Sequence, residues 1–271
     1  QGRVVAMHRF FVAPALLAST LPASQEGMAV GEEDLVVSLP EKLAHQVRDV
    51  LHLEAGEQLV LLDNSGDEVL AAISKSSRAG VEVQLLERRQ GKSESPVPLV
   101  LCQGLLKSAR FEWILEKGTE LGVAVFAPII CRRSMAGLEE AGPAKLQRWQ
   151  RIIQEAAEQC GRARLPELLP IRPLMHALED LPPGALAIMP WEEEQTRSLR
   201  DVLLARSGAA PDSGPRQVVL FIGPEGGLIA EEIKLAQRYN VQIVTLGTRI
   251  LRAETAALAA VANVMFALEK L

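Results

Sequence analysis

Cysteine, histidine and aromatic residues are scarce in this 271-residue chain: three Cys, four His, six Phe, three Trp and one Tyr. Cys102, Cys131 and Cys160 lie far apart and form no CxxC pair. With so few histidines a zinc centre is excluded, and no metal is expected. An odd, sparse set of thiols suits a reducing compartment, and all three read as small buried apolar residues. No apolar run approaches the ~20 residues that span a bilayer. Met7 is followed by His8-Arg9-Phe10-Phe11-Val12 with no long apolar stretch and no cleavage site, so no secretory leader is expected. No membrane partner is expected either, and the expected location is the cytoplasm.

Excess positive charge is also missing. The formal net charge is −5, which argues against indiscriminate polyanion binding. Residues 1–90 hold 8 Lys+Arg against 13 Asp+Glu, and the remainder holds 29 − 8 = 21 against 34 − 13 = 21. A nucleic-acid surface must therefore be a local patch. The usual nucleotide signatures are lacking too. There is no GxGxxG, and Lys107-Ser108 follows a leucine rather than a glycine. No phosphate cradle is supported.

What is present changes period along the chain. Short strand-like runs at 8–12, 34–39, 58–63, 68–74 and 81–87 surround one helical stretch, 40–51, with Asn64-Ser65-Gly66-Asp67 as a hairpin-type turn. This predicts a small β-barrel over 7–90. Residues 88–98 read as a polar linker. From 97 to 271 apolar strands alternate with helices, two of them closed by Gly122 and Gly161, which predicts a parallel sheet covered on both faces. The last helix, 253–269, is apolar nearly all round at Ala256, Leu258, Val261, Val264, Met265 and Leu268. Such a helix needs cover from its own sheet and from a second copy of the chain, so a homodimer is expected.

Three strand ends stand out. Val218–Ile222 runs into Gly223-Pro224-Glu225-Gly226-Gly227. A second strand near 241–245 runs into Leu246-Gly247-Thr248-Arg249-Ile250-Leu251-Arg252-Ala253-Glu254. A third ends at Met189-Pro190-Trp191. Ligands of open parallel sheets bind at the carboxyl ends of strands, so the three loops predict one shared pocket. Glycines let a flat, neutral ring approach backbone N–H and C=O groups closely. Ile250 and Leu251 are placed to sandwich such a ring, and Glu225 and Glu254 to face a positive group or to stabilise the loop. Trp113, Trp149 and Trp191 read as packing residues, Trp191 being the one that could also meet a ligand.

The strings GPEGG (223–227) and LGTRILRAETAA (246–257) resemble the paired signatures of the SPOUT methyltransferases, and more closely those of the RsmE family. HRFFV at 8–12, LEKGTELGV at 115–123, Arg132-Arg133-Ser134 and EAAEQCGR at 155–162 fit that family in order and spacing, so the likeness covers residues 7–271. The resemblance implies an α/β fold with an N-terminal PUA-like β-barrel that helps to hold RNA and a C-terminal domain with a deep trefoil knot. It implies S-adenosylmethionine in the knot, a homodimer, and methylation of N3 of a uridine in the 16S ribosomal RNA of the small subunit. The cofactor residues would be Met189, Pro190, Gly223, Pro224, Glu225, Gly226, Gly227, Leu246, Gly247, Ile250, Leu251 and Arg252. Methylating N3 requires loss of its proton and positive charge beside the resulting anion. Arg252, with Arg249 near it, is the candidate for the charge, and Glu254 or Glu225 for the proton. Arg252 could instead pair with Glu225 or Glu254 and hold the loop shut. Arg9, Arg132, Arg133 and Arg162 are the expected RNA contacts, with Arg9 at the centre of a strip from which acidic residues turn away. Lys107 and Arg110 rank below them. Two departures stand out: Leu228-Ile229 follows GPEGG where the family often has Phe and then a hydroxyl residue, and His52 replaces an arginine. A ribose 2′-O methyltransferase of the same superfamily and a non-enzymatic rRNA-binding assembly factor are the alternative readings.

Overall fold

The computed structural model describes residues 7–17, 35–135, 137, 142–207 and 217–268. Two compact units form. One holds residues up to Glu94 together with Ala157–Leu165; the other holds Ser95–Ala156 and Pro166 onwards. The expected boundaries, 7–90 and 97–271, assign 157–165 to the second unit, whereas these residues pack with the first. The residues Gln1–Ala6 and part of the strand expected at 34–39 lie outside the described residues.

The first unit contains β1 (Arg9–Phe11), α1 (Pro14–Leu17), β2 (Val36–Ser38), α2 (Glu41–His45), β3 (Gln58–Leu62), β4 (Asp67–Ser77) and β5 (Gly80–Gln90). Its sheet runs in the order β1-β3-β4-β5-β2, with β1 parallel to β3 and the other pairs antiparallel. The turn expected at 64–67 joins β3 to β4, with Asn64 and Gly66 at positive φ. β4 and β5 are longer than the sequence suggests, so Arg88–Gln90 belong to a strand and not to a linker. The reason is electrostatic. Arg88 pairs with Asp63 and Asp67, and Arg89 donates to Glu68 at 2.7 Å, so charged positions that read as linker are cross-strand pairs.

The second unit contains β6 (Leu99–Gly104), α3 (Ser108–Glu120), β7 (Val123–Ile130), most of α4 (Pro143–Cys160), β8 (Glu167–Leu168), β9 (Arg172–Pro173), α5 (Leu174–Glu179), β10 (Leu186–Pro190), α6 (Leu199–Ser207), β11 (Val218–Ile222), α7 (Ala230–Arg238), β12 (Gln242–Val244) and α8 (Ala253–Leu268). Its sheet is parallel in the order β12-β10-β11-β6-β7-β8, with β9 also on β7. Side chains alternate across it, apart from an irregularity at the start of β7. Leu99, Leu101, Ile188, Leu220 and Val244 pack on one face with Phe111 and Trp149 and with Val261 and Val264 of α8. Val100, Cys102, Ala187, Met189, Phe221 and Ile243 pack on the other with α5 and α7. Both faces are apolar because both are covered, which is why these strands read as unbroken hydrophobic runs. β8, β9 and α5 are too short to show a period in the sequence.

Cys102 and Cys131 are buried as expected, and burial pushes the Cys102 thiol up to about 12, whereas Cys160 is half-buried. Among the described residues no helix is long and apolar enough to cross a membrane, and no cluster of metal-ligating side chains occurs.

In the first unit Arg162 is only 4% exposed, and its guanidinium grips Glu94 through Nε (3.2 Å) and Nη2 (2.6 Å). Glu94→Ala removes the carboxylate that two guanidinium nitrogens of this buried side chain engage, so it should lower stability by about 1–3 kcal/mol, with Glu94→Gln recovering part of it, read from denaturant midpoints.

Candidate active site

Parallel pairing in register brings the carboxyl ends of β6, β10, β11 and β12 to one edge. Gln103 pairs with Ile222, and Pro190 with Val244. β6 and β11 end so close together that a Cβ on Gly104 would lie 2.5 Å from the Pro224 nitrogen and 2.8 Å from the Gly223 carbonyl carbon. Only glycine fits there. Gln103 fastens the same junction by donating its amide to the carbonyls of Gly104 (2.9 Å) and Gly223 (3.4 Å). The 223–227 loop then turns tightly, with the Gly227 N–H donating to the Pro224 carbonyl at 3.0 Å and Gly227 at φ +73°. Arg133 holds it from outside by donating Nη1 to the Gly226 carbonyl at 3.0 Å.

Ile229, standing where a hydroxyl cap would be, has no side-chain acceptor for the start of α7. Glu232 supplies the reciprocal bond of a capping box: one of its oxygens accepts the Ile229 N–H at 3.0 Å and the other accepts the Arg132 N–H at 2.8 Å. The Glu232 N–H, which a hydroxyl at 229 would have met, donates instead to the Ile229 carbonyl at 3.0 Å.

Among the described residues three cavities border the 246–252 loop; one of about 620 Å³ lies toward α6 and α8, lined by Leu203, Leu204, Leu246, Gly247 and Phe266, and the other two face the 223–227 loop and the end of β10. Of these two, one of about 310 Å³ is lined by the 223–227 loop, Arg110, Glu192 and Ile250–Ala253. The other is lined by Pro190–Glu192 and Thr245–Leu251. Both sit at the carboxyl edge of the sheet, where the sequence places a shared pocket. Ile250 is 90% exposed, a large apolar side chain with no cover from its own chain. Glu225 and Glu254 face one cation, and it is not Arg252. Arg110, in the first turns of α3, brings Nη1 to 3.0 Å from Glu225 Oε1 and Nε to 3.7 Å from Glu254 Oε1. The other Glu254 oxygen, Oε2, is buried with no hydrogen-bond partner. A buried acceptor without a donor is costly, so it marks a place where a ligand N–H or O–H would be welcome.

Comparison with known proteins separates the readings. The pattern of the RNA methyltransferase domain family matches residues 93–265. The ribosomal RNA small subunit methyltransferase E of Synechocystis is 34% identical over 246 residues, 89% of this chain and 78% of that protein. The chain belongs to the ribosomal RNA small subunit methyltransferase E family. The relative from Bacillus subtilis is 29% identical over 89% of this chain and 93% of its own length. The crystal structure of the Neisseria gonorrhoeae family member bound to S-adenosyl methionine superposes with a TM-score of 0.78 at 30% identity, covering 96% of this chain and 97% of that one.

Within this methyltransferase E fold, most of the residues expected to hold the cofactor line one of two adjoining cavities. Pro190, Gly223, Pro224, Glu225, Gly226, Gly227, Ile250, Leu251 and Arg252 line the larger cavity, and Leu246 and Gly247 line its neighbour. Met189 is the exception: it is fully buried on the α5 and α7 face of the sheet, because the pleat turns it away from the edge. Arg252 lies on the rim, exposed, and no ion pair engages it among the described residues. Arg249 is exposed beside it, and Arg132 and Arg133 are exposed behind the 223–227 loop. Trp191 reaches the smaller cavity, Trp149 is buried against Phe111, and Trp113 is 43% exposed where packing is expected.

Two expected RNA contacts are differently employed in the first unit. Arg9 donates to the buried Glu68 at 3.1 Å, so the carboxylates near it turn toward it and not away. Arg162 is held by Glu94, which the sequence hides because the partners lie 68 residues apart. Arg110 is the residue whose role the sequence underrated. Its one signal is a cation spaced to face the pocket from the helix after β6.

Gly104→Ala should displace the 223–227 loop, costing about 1–3 kcal/mol in stability, with weakened cofactor binding by calorimetry. Arg110→Ala strips the cation from two carboxylates, Glu254 being only 12% exposed, so it should also cost about 1–3 kcal/mol. Arg110→Lys, which keeps the charge, should recover part of that loss, and no recovery by lysine would contradict this division between backbone fit at 104 and charge at 110.

Proposed function

We propose that the chain methylates N3 of a specific uridine in 16S ribosomal RNA, using S-adenosylmethionine. The observation that carries the reading is the glycine-walled cavity lined by Arg110, Glu225 and Arg252, in a chain of this family, with Arg110 also on Glu254, whose Oε2 has no hydrogen-bond partner among the described residues. The residues fit the cofactor. Backbone of 223–227 and 246–247 is open to a flat ring, Ile250 and Leu251 offer apolar cover, and Glu192 and Glu225 suit a ligand carrying positive charge.

S-adenosylmethionine supplies an electrophilic methyl group on a sulfonium. The chain's own residues prepare the nucleophile. Glu254 is suited to take the proton as the N3–H bond breaks; the electron pair left on N3 would then bond the methyl carbon as that carbon's bond to sulfur breaks and its electron pair passes to sulfur. Arg110 engages the opposite oxygen of Glu254 and Glu225, which leaves Oε2 without a donor from the protein. Arg252, unpaired at the rim, meets the uracil carbonyl oxygen as charge develops there. The exposed pair Arg132 and Arg133 is suited to backbone phosphates near the site.

The finer architecture belongs to the same reading. The first unit is a PUA-like barrel that docks RNA, and the second carries the trefoil knot. Support for the knot comes from the way residues 191–199 clasp the end of β12. The Trp191 N–H donates to Val244 (2.9 Å), the Thr245 N–H to Arg197 (2.8 Å) and the Leu199 N–H to Thr245 (3.0 Å). The working form is a cytoplasmic homodimer. Val261, Val264 and Met265 are spent on this chain's own core, while Phe266, 76% exposed, and the exposed Leu204 remain for a twin.

Incubating the purified chain with small subunits from a strain lacking it, and mapping the RNA by mass, should locate one methyl group on a uracil base of 16S RNA. Methyl on a ribose oxygen, or none, would overturn the assignment. Arg252→Ala should lower turnover by about 10²–10³ while cofactor affinity stays within a few-fold. Light scattering should give twice the chain mass at micromolar concentration.

A further inference from the structure

Two of the cavities beside the 246–252 loop share five lining residues: Pro190, Glu192, Ile250, Leu251 and Ala256. Glu192 is the one charged member of that set. It stands on the first residues after β10, and its carboxylate is pressed over the 223–227 loop: a Cβ on Gly227 would lie 2.6 Å from Glu192 Oε1. Among the described residues no hydrogen bond or ion pair engages that carboxylate, although Arg110 and Arg252 line the same cavity and Arg249 the adjoining one. A carboxylate at the junction of two cavities, close to cations yet paired with none, is placed for a positive charge brought by a ligand.

Resting on the cofactor reading above, we infer that Glu192 is the counter-charge for the sulfonium of the bound methyl donor, and so makes the site prefer the charged donor over its neutral demethylated product. The rim arginine Arg252 and Arg110, which pairs with both Glu225 and Glu254, belong to the larger of the two cavities, so the methyl group is delivered there. The apolar and backbone walls that suit the adenosyl ring continue into the smaller one. A sulfonium joins those two parts of the donor and therefore falls where the cavities join. Glu225 and Glu254 are already engaged by Arg110, which leaves Glu192 as the carboxylate free to answer that charge. After methyl transfer sulfur is neutral, and the attraction that held the donor is lost, which favours release of the product.

The test is calorimetric binding to the full chain, with S-adenosylmethionine, S-adenosylhomocysteine and an analogue bearing an amine in place of the sulfonium. Glu192→Gln keeps size and polarity and removes only the charge. It should weaken binding of the two cationic ligands by about five- to twentyfold, a modest factor because the site is open to water, while the neutral product changes less than about twofold. Glu192→Asp should fall between. Equal changes for all three ligands, or no change, would overturn the inference and leave the cofactor reading standing. Failure of the unaltered chain to bind any of the three would overturn both. On the unaltered chain, raising salt should weaken the cationic ligands more than the neutral one, and a salt response common to all three counts against a counter-charge.

Discussion

Everything at this site depends on parallel strands ending together. When Gln103 pairs with Ile222 and Pro190 with Val244, the chain has no choice but to send several loops over one edge of the sheet. The loops then compete for space, and glycine at position 104 settles the competition by letting the backbone of the 223–227 turn lie against the end of β6. The cavity is what remains once backbone has packed on backbone. Much of its wall is therefore peptide backbone, a surface that a flat heterocycle can read.

The charges are layered onto that frame in an order the geometry makes plain. Arg110 holds two carboxylates from two different loops, so the 223–227 turn and the start of α8 are linked through a single guanidinium. That leaves Arg252 unspent. Had Arg252 made the pair, the site would be closed and electrically quiet. With Arg110 doing so from α3, the rim keeps a free cation and the interior keeps one carboxylate oxygen without a donor. Stability and chemistry are thus assigned to different arginines, and the cost of the orphaned oxygen is borne where a substrate can relieve it.

Much of this was legible in the sequence because its signals are local. A hydrophobic run followed by Gly-Pro-Glu-Gly-Gly announces a strand and its turn, and a helix ending in Gly122 or Gly161 announces its stop. What could not be read was whatever depends on partners distant along the chain. Arg162 looks like a surface arginine until Glu94 comes back across 68 residues to bury it, and Arg88 and Arg89 look like linker until the facing strand supplies Asp63, Asp67 and Glu68. Met189 was placed in the pocket because it adjoins Pro190. The pleat sends neighbouring side chains to opposite faces, and a one-residue difference moves methionine from the ligand to the core. Glycine strings reveal where backbone must come close, but they do not say which arginine answers which carboxylate.

Glu232 is a fastening between two segments as much as a helix residue. Because its carboxylate accepts both the Ile229 and the Arg132 N–H groups, it joins the start of α7 to the stretch that carries Arg132 and Arg133, and its loss would release both in a single step. A hydroxyl at 229 could not stand in for it, since such a group accepts from the N–H groups of the helix's first turn and reaches neither of these two donors. Position 232 is thus held by two neighbours whatever side chain occupies 229.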